Sequence, residues 1–267
     1  MTPLQAAVLG ILQGLSEFLP ISSSAHLTLA PWLFGWQDPG LAFDVALHFG
    51  TLLAVLWYFR AEWAALIRAA GGIVTTGRLD TPEKRRVIYL ILATIPGAVG
   101  GLLLQSRAES AFRSPQIIAV ALIAMGILLW LVDKLVAQRR VLGEMRWIDS
   151  VLIGLSQVIA LMPGVSRSGS TITTGRGLGF DRESAAEFSF LMSMPIIAAA
   201  VVLEGKKALS SGGLTNELFA GVVASAISGW LAISILMRFV TRHSYGIFAL
   251  YRVLLGLTVL AVLYARG

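Results

Sequence analysis

Two short stretches hold most of the side chains that could do chemistry. The first runs Gln13-Gly14-Leu15-Ser16-Glu17-Phe18-Leu19-Pro20-Ile21-Ser22-Ser23-Ser24-Ala25-His26, and the second runs Pro163-Gly164-Val165-Ser166-Arg167-Ser168-Gly169-Ser170-Thr171. Together they supply a carboxylate, an imidazole, several hydroxyls and a guanidinium, a set that suits phosphoryl transfer. The planar fork of Arg167 matches phosphate oxygens and would stabilise charge in the transition state. Gly164 and Gly169 permit close backbone approach, and backbone N–H groups at the start of a following helix would point at an anion. Ser166, Ser168 and Thr171 add hydroxyls to that phosphate cradle. A serine in the first stretch, Ser22 or Ser23, is a candidate nucleophile, and His26 a candidate base or acid. Gln13 and Glu17 share one helix face and offer oxygens to a hard divalent cation bridging phosphates. Serine-protease chemistry fits less well, because Arg167 has no task in acyl transfer. The second stretch is not a P-loop, since no Gly-Lys-Ser/Thr follows, and it lacks the closing Gly of a nucleophile elbow.

Taken singly, these residues have plainer explanations. Serines cap helices, Glu17 could satisfy a buried donor, His26 could sit at a lipid interface, and Arg167 could snorkel toward one. Their concentration in two windows favours function. The elements that position them follow from Pro20, which disfavours helical geometry at Leu19 and ends the first helix. The serines then fall at a turn or at the start of a second short helix.

The surroundings are apolar. Of 267 residues 56% are hydrophobic and 13% charged, against about 25% charged in soluble domains. Runs of membrane length recur at Leu41–Phe59, Val87–Leu104, Ile117–Val136, Ser184–Leu203, Leu218–Phe239 and Tyr245–Tyr264. About 20 mostly apolar residues cross a bilayer as a helix. An ionisable group at that depth costs roughly 2.5–3.5 kcal/mol, so Glu17 and His26 call for a reason, and so do His48 and Arg252 within later spans. His48 could reach the site; Arg252 is expected to pair with a buried carboxylate or to face a helix interface. The absence of cysteine excludes disulfides, thiol catalysis and Cys-ligated zinc. No Lys or Arg precedes the first apolar stretch, so it is expected to be a retained segment rather than a cleavable signal.

Basic residues cluster in particular loops. Arg60, Arg68, Arg78, Lys84, Arg85 and Arg86 form one group, Lys134, Arg139, Arg140 and Arg146 a second, and Arg238 and Arg242 a third; the intervening loops carry Arg107 and Arg113, then Lys206 and Lys207. The positive-inside rule places the three groups in the cytoplasm, which accounts for the net charge of +6 without nucleic acid. The chain also repeats itself: Gly10, Gln13, Ser22 and Ser24 recur 144 residues later as Gly154, Gln157, Ser166 and Ser168. With the charge pattern, the two copies would enter the membrane in opposite senses. Inverted repeats with broken helices meeting near the midplane bind polar ligands in membrane proteins. The expectation is an all-α, polytopic membrane bundle in one domain, residues 1–267. It has a first repeat half over 1–104 and an inverted second half over 147–239, each with a re-entrant hairpin. A transporter or flippase is the alternative that such a repeat suggests.

At these residues the chain resembles the undecaprenyl-diphosphate phosphatase family of bacitracin-resistance membrane proteins. Gln13-x-x-x-Glu17 matches its (Glu/Gln)-x-x-x-Glu motif, and Pro163-Gly-x-Ser166-Arg167-Ser168-x-x-Thr171 matches its Pro-Gly-x-Ser-Arg-Ser-x-x-Thr motif. His26 falls where the family has its histidine, and the likeness extends through Ala46–Thr51 and Glu187–Leu191. The resemblance implies hydrolysis of undecaprenyl diphosphate to the monophosphate, which recycles the cell-wall lipid carrier. It implies a divalent cation such as Mg or Ca, a bacterial inner-membrane location, and a site opening to the periplasm; it leaves room for a homodimer. Functional residues carried over are Glu17, Ser22, Ser23, His26, Ser166, Arg167 and Thr171. Gln13 stands where some members have Glu, which removes one negative charge from the cation site. A phosphatidic-acid-type phosphatase would need an upstream Arg-Pro, and no Arg-Pro occurs here.

Overall fold

The computed structural model describes residues 1–210 and 215–266, with the side chains of Leu41, 105–110 and 204–210 outside the described set. The charges noted at Arg107, Lys206 and Lys207 lie among those side chains. The described residues form eleven α-helices and one short 3-10 turn, with no strand longer than an isolated bridge between Arg140 and Phe180.

Five helices are long and apolar enough to cross a bilayer: α5 (Pro82–Ala111), α6 (Pro115–Leu135), α9 (Arg182–Ser210), α10 (Asn216–Val240) and α11 (Gly246–Arg266). A sixth candidate is a bent pair, α3 (Leu41–Tyr58) and α4 (Arg60–Thr76), which turns by 82°. This corrects one expectation. The stretch from Arg60 was read as the start of a basic loop, yet it continues as a helix after a sharp bend at Phe59. Phe59 leaves helical geometry at φ −95°, ψ 28°, and its buried ring packs against Phe190. The charged residues Arg60, Glu62 and Arg68 then ride on α4. The whole is a polytopic membrane helical bundle.

The remaining four helices, α1 (Pro3–Phe18), α2 (Ser23–Phe34), α7 (Trp147–Ile159) and α8 (Arg167–Gly177), are too short for a simple crossing. They pack as two hairpins, α1 with α2 and α7 with α8. Thr2 caps α1 through a reciprocal box with Gln5. Leu19 ends it in extended geometry at φ −64°, ψ 137°, as expected of a residue before proline.

Each hairpin lies on a long helix through a small-residue contact. A Cβ on Gly10 would come within 2.2 Å of the Gly221 carbonyl on α10, and one on Gly154 within 2.5 Å of the Ala93 carbonyl on α5. Such approach needs glycine, and in a membrane it is how helices gain packing energy. A ring cluster of Phe18, Phe59, Phe188 and Phe190 backs the first hairpin. At the opposite end, buried Asp133 accepts hydrogen bonds from Arg176, Arg182 and the Tyr245 backbone, joining α6, α8 and α9 to the start of α11.

Candidate active site

The two hairpins carry the same unusual turn. Ser22 and Ser166 are the only non-glycine residues at positive φ among the described residues, at 77° and 75°. For serine this is strained by about 1–3 kcal/mol. Each is an N-cap whose Oγ accepts from the backbone N–H three residues on, Ala25 at 3.4 Å and Gly169 at 3.0 Å. Each Oγ also contacts the hydroxyl two residues later, Ser24 at 3.3 Å and Ser168 at 3.2 Å.

The turns meet. The Gly164 N–H donates to Ser22 Oγ at 3.2 Å, and Ser168 Oγ donates to the Leu19 carbonyl at 3.2 Å. Arg252 locks them from behind. It is fully buried on α11, and its guanidinium donates to the carbonyls of Pro20 (3.1 Å), Gly164 (2.7 Å) and Val165 (2.9 Å), with Nε on Leu122 (3.3 Å). Of the two expectations for Arg252, the interface is the one found: its partners are backbone oxygens of the two turns and α6, and no carboxylate pairs with it among the described residues. Pro20 and Gly164 occupy matching places in the two turns. The sequence signal for this clamp was an arginine at membrane depth; its partners are carbonyls, which carry no sequence signature.

In front of the turns lies a cavity of about 290 Å³, lined by Glu17, Ser23, Ser24, Ser166 and Arg167 from the hairpins and by Asp44, His48 and Arg113 from around them. Glu17, 6% exposed, is its hub. One carboxylate oxygen accepts from Arg167 across the hairpin boundary. The other accepts from Ser23 Oγ at 2.6 Å and Gln13 Nε2 at 3.0 Å, with His48 Nε2 at 3.5 Å. A serine hydroxyl and a guanidinium thus both rest on one carboxylate, which can take the serine's proton.

Several residues named from sequence fall differently. Ser22 is buried under the turn, whereas Ser23 reaches the cavity. His26 was named as candidate base or acid, and here both of its ring nitrogens are engaged. Its Nδ1 meets the Ser22 carbonyl at 2.7 Å, its Nε2 meets the Tyr251 hydroxyl at 2.7 Å, and it does not line the cavity. The imidazole that faces Glu17 is that of His48. Gln13 presents its N–H to Glu17, not the oxygen that cation binding would use. Gly169 packs against Arg252, and Thr171 is buried behind Arg167, on its carbonyl at 2.8 Å and on Ser189 Oγ at 2.7 Å. Ser166 and Ser168 stay with the turn as described. Sequence reasoning missed Asp44 and Arg113 in the cavity wall, because each sits at the end of a span, whereas Gln157, singled out as the copy of Gln13, does line it. Asp44 did carry one signal, lying one helical turn before His48.

Among the described residues no group of three or more His, Cys, Asp or Glu is arranged to hold a metal ion. A cation that arrives on substrate phosphates needs only one or two protein carboxylates. Glu17 fits that limited role, with its carboxylate beside the phosphate-binding guanidinium.

The chain matches the family described as "Bacitracin resistance protein BacA" over residues 6–258. It is similar over its full length to proteins named "Undecaprenyl-diphosphatase". It is 60% identical to that of Gemmatimonas aurantiaca over 266 residues, covering 100% of both chains. It is 50% identical to that of Pelotomaculum thermopropionicum, covering 100% of this chain and 98% of the relative. It is 48% identical to that of Moorella thermoacetica, covering 100% of both. The second motif intact at Pro163–Thr171, the family match across nearly the whole length and full-length relatives at 48–60% identity place this chain in the BacA family.

Proposed function

We propose that this protein is a membrane phosphatase that hydrolyses undecaprenyl diphosphate to undecaprenyl phosphate and inorganic phosphate. The observation that carries the reading is the contact of Ser23, Glu17 and Arg167 in one cavity between two hairpins. Arg167 draws the terminal phosphate in and leaves Glu17 as it does so. Ser23 Oγ attacks phosphorus, its proton passes to Glu17, and the bond to the bridging oxygen breaks with undecaprenyl phosphate as leaving group. Glu17 hands that proton to the departing undecaprenyl phosphate and, a carboxylate again, takes a proton from the water that attacks the phosphoserine, returning it to Ser23 Oγ as inorganic phosphate leaves. A divalent cation, held by Glu17 and the substrate, would neutralise phosphate charge. Ser22 shapes the turn and His26 braces it against Tyr251. Relatives bearing the diphosphatase name at full length support this activity, and their names lend the transporter alternative no support.

The site opens toward the periplasm of a bacterial inner membrane in this reading. Supporting it, α3 and α6 begin near Asp44 and Arg113 at the rim and run away from it toward Arg60 and Lys134, which belong to the basic groups that the positive-inside rule keeps in the cytoplasm. The matching turns at Ser22 and Ser166, and the matching glycine contacts of Gly10 and Gly154, support two inverted copies of one hairpin unit.

The test is phosphate release from undecaprenyl diphosphate by purified Glu17→Ala and Arg167→Ala proteins. Each is expected to lose about 10²–10³-fold in kcat/KM. Wild-type turnover in both would overturn the assignment.

A further inference from the structure

A diphosphate presents two phosphate groups, and Arg167 can serve only one of them. Among its lining residues the cavity holds a second guanidinium, that of Arg113, just ahead of α6. It has a different setting from Arg167. Its Nη2 lies 3.6 Å from Asp38 Oδ2 and 3.9 Å from Asp44 Oδ2, and its side chain is 34% exposed, against 20% for Arg167. One turn of α3 links the two arginines. Asp44 at its start faces Arg113; His48 at its end donates Nδ1–H to the Asp44 carbonyl at 2.7 Å and turns Nε2 to Glu17, which holds Arg167. Four helical residues rise about 6 Å, comparable with the breadth of a diphosphate. The cavity therefore has a floor and a rim, each with a guanidinium already held by carboxylate.

The direction in which a lipid diphosphate enters follows from shape. The floor is enclosed by the two turns and admits a phosphate without a tail. Leu27, Leu161, Ile196 and Ala200 add apolar wall to the same cavity for the first carbons of a chain. The loose, partly exposed ion pairs of Arg113 are worth little, so exchanging carboxylate for phosphate there costs little. A planar guanidinium fork suits that exchange.

We propose that Arg113 binds the lipid-bearing phosphate at the rim while Arg167 binds the terminal phosphate at the floor, so that Arg113 is the residue that retains the monophosphate product. This rests on the diphosphatase reading above. Steady-state kinetics on full-length Arg113→Gln and Arg113→Lys in lipid nanodiscs test it, with undecaprenyl diphosphate as substrate and two inhibitors, inorganic phosphate and undecaprenyl monophosphate. For Arg113→Gln, KM is expected to rise about 10-fold with kcat changed by no more than about twofold, the loss of one charge-assisted contact made equally to ground and transition state. Inhibition by undecaprenyl monophosphate should weaken by a similar factor while inhibition by inorganic phosphate stays as in wild type. Arg113→Lys should fall between. Unchanged KM and monophosphate inhibition in a protein that melts like wild type would overturn the proposal, as would equal weakening of both inhibitors. Should wild-type protein release no phosphate from the lipid, the diphosphatase reading itself fails; should it do so without the Arg113 pattern, only the rim assignment fails.

Discussion

In the first hairpin, α1 delivers Glu17 just ahead of the Ser22 turn; in the second, the matching position is Leu161. After the turn the relation reverses, with Ser23 in the first copy standing where the second has Arg167. The backbones agree closely, down to the positive φ of Ser22 and Ser166 and the cap each hydroxyl makes. The side chains have parted into complementary halves: acid and hydroxyl on one turn, guanidinium on the other. Either copy alone would have a strained turn and a partial set of groups. Complementarity also explains the ion pair across the boundary, where Glu17 and Arg167 satisfy each other until a substrate phosphate competes.

That division can be attacked at several depths. Replacing Ser23 should cost most. Ser23→Ala is expected to lower kcat by about 10³-fold, whereas Ser23→Cys should retain a trace that labels with thiol reagents; stopped-flow and steady-state phosphate release would check both. Survival of near-normal turnover in Ser23→Ala would move the nucleophile elsewhere. A smaller effect is expected from loosening the joint between the copies. Arg252→Lys keeps the charge but cannot reach carbonyls of both turns, so kcat should fall by roughly 10–100-fold with KM little changed, since geometry rather than binding is lost. A parallel fall in thermal stability alone, with kcat intact, would reduce Arg252 to a purely structural tie.

Much of this was legible from residue types. Long apolar runs marked six spans because burial in lipid demands them, and Pro20 marked the end of α1 because proline restricts Leu19. The repeat of Gly10, Gln13, Ser22 and Ser24 marked two like turns, because a turn of that shape needs a capping hydroxyl. Three things were not legible. The bend at Phe59 depends on packing against Phe190, a residue distant in sequence. The surroundings of His26 were not legible because its partners, the Ser22 carbonyl and Tyr251, are one generic atom and one residue in the last span. The cavity rim of Asp44 and Arg113 joins the starts of two spans, and charges at span ends are too common to single out.

Catalysis at the joint between the hairpins requires Glu17 of one and Arg167 of the other to act as one unit. A double-mutant cycle on kcat/KM with Glu17→Gln, Arg167→Gln and the pair measures this. The prediction is strong non-additivity, with the double variant only a few-fold below the worse single variant. A double variant whose loss equals the product of the two single losses would contradict a shared site.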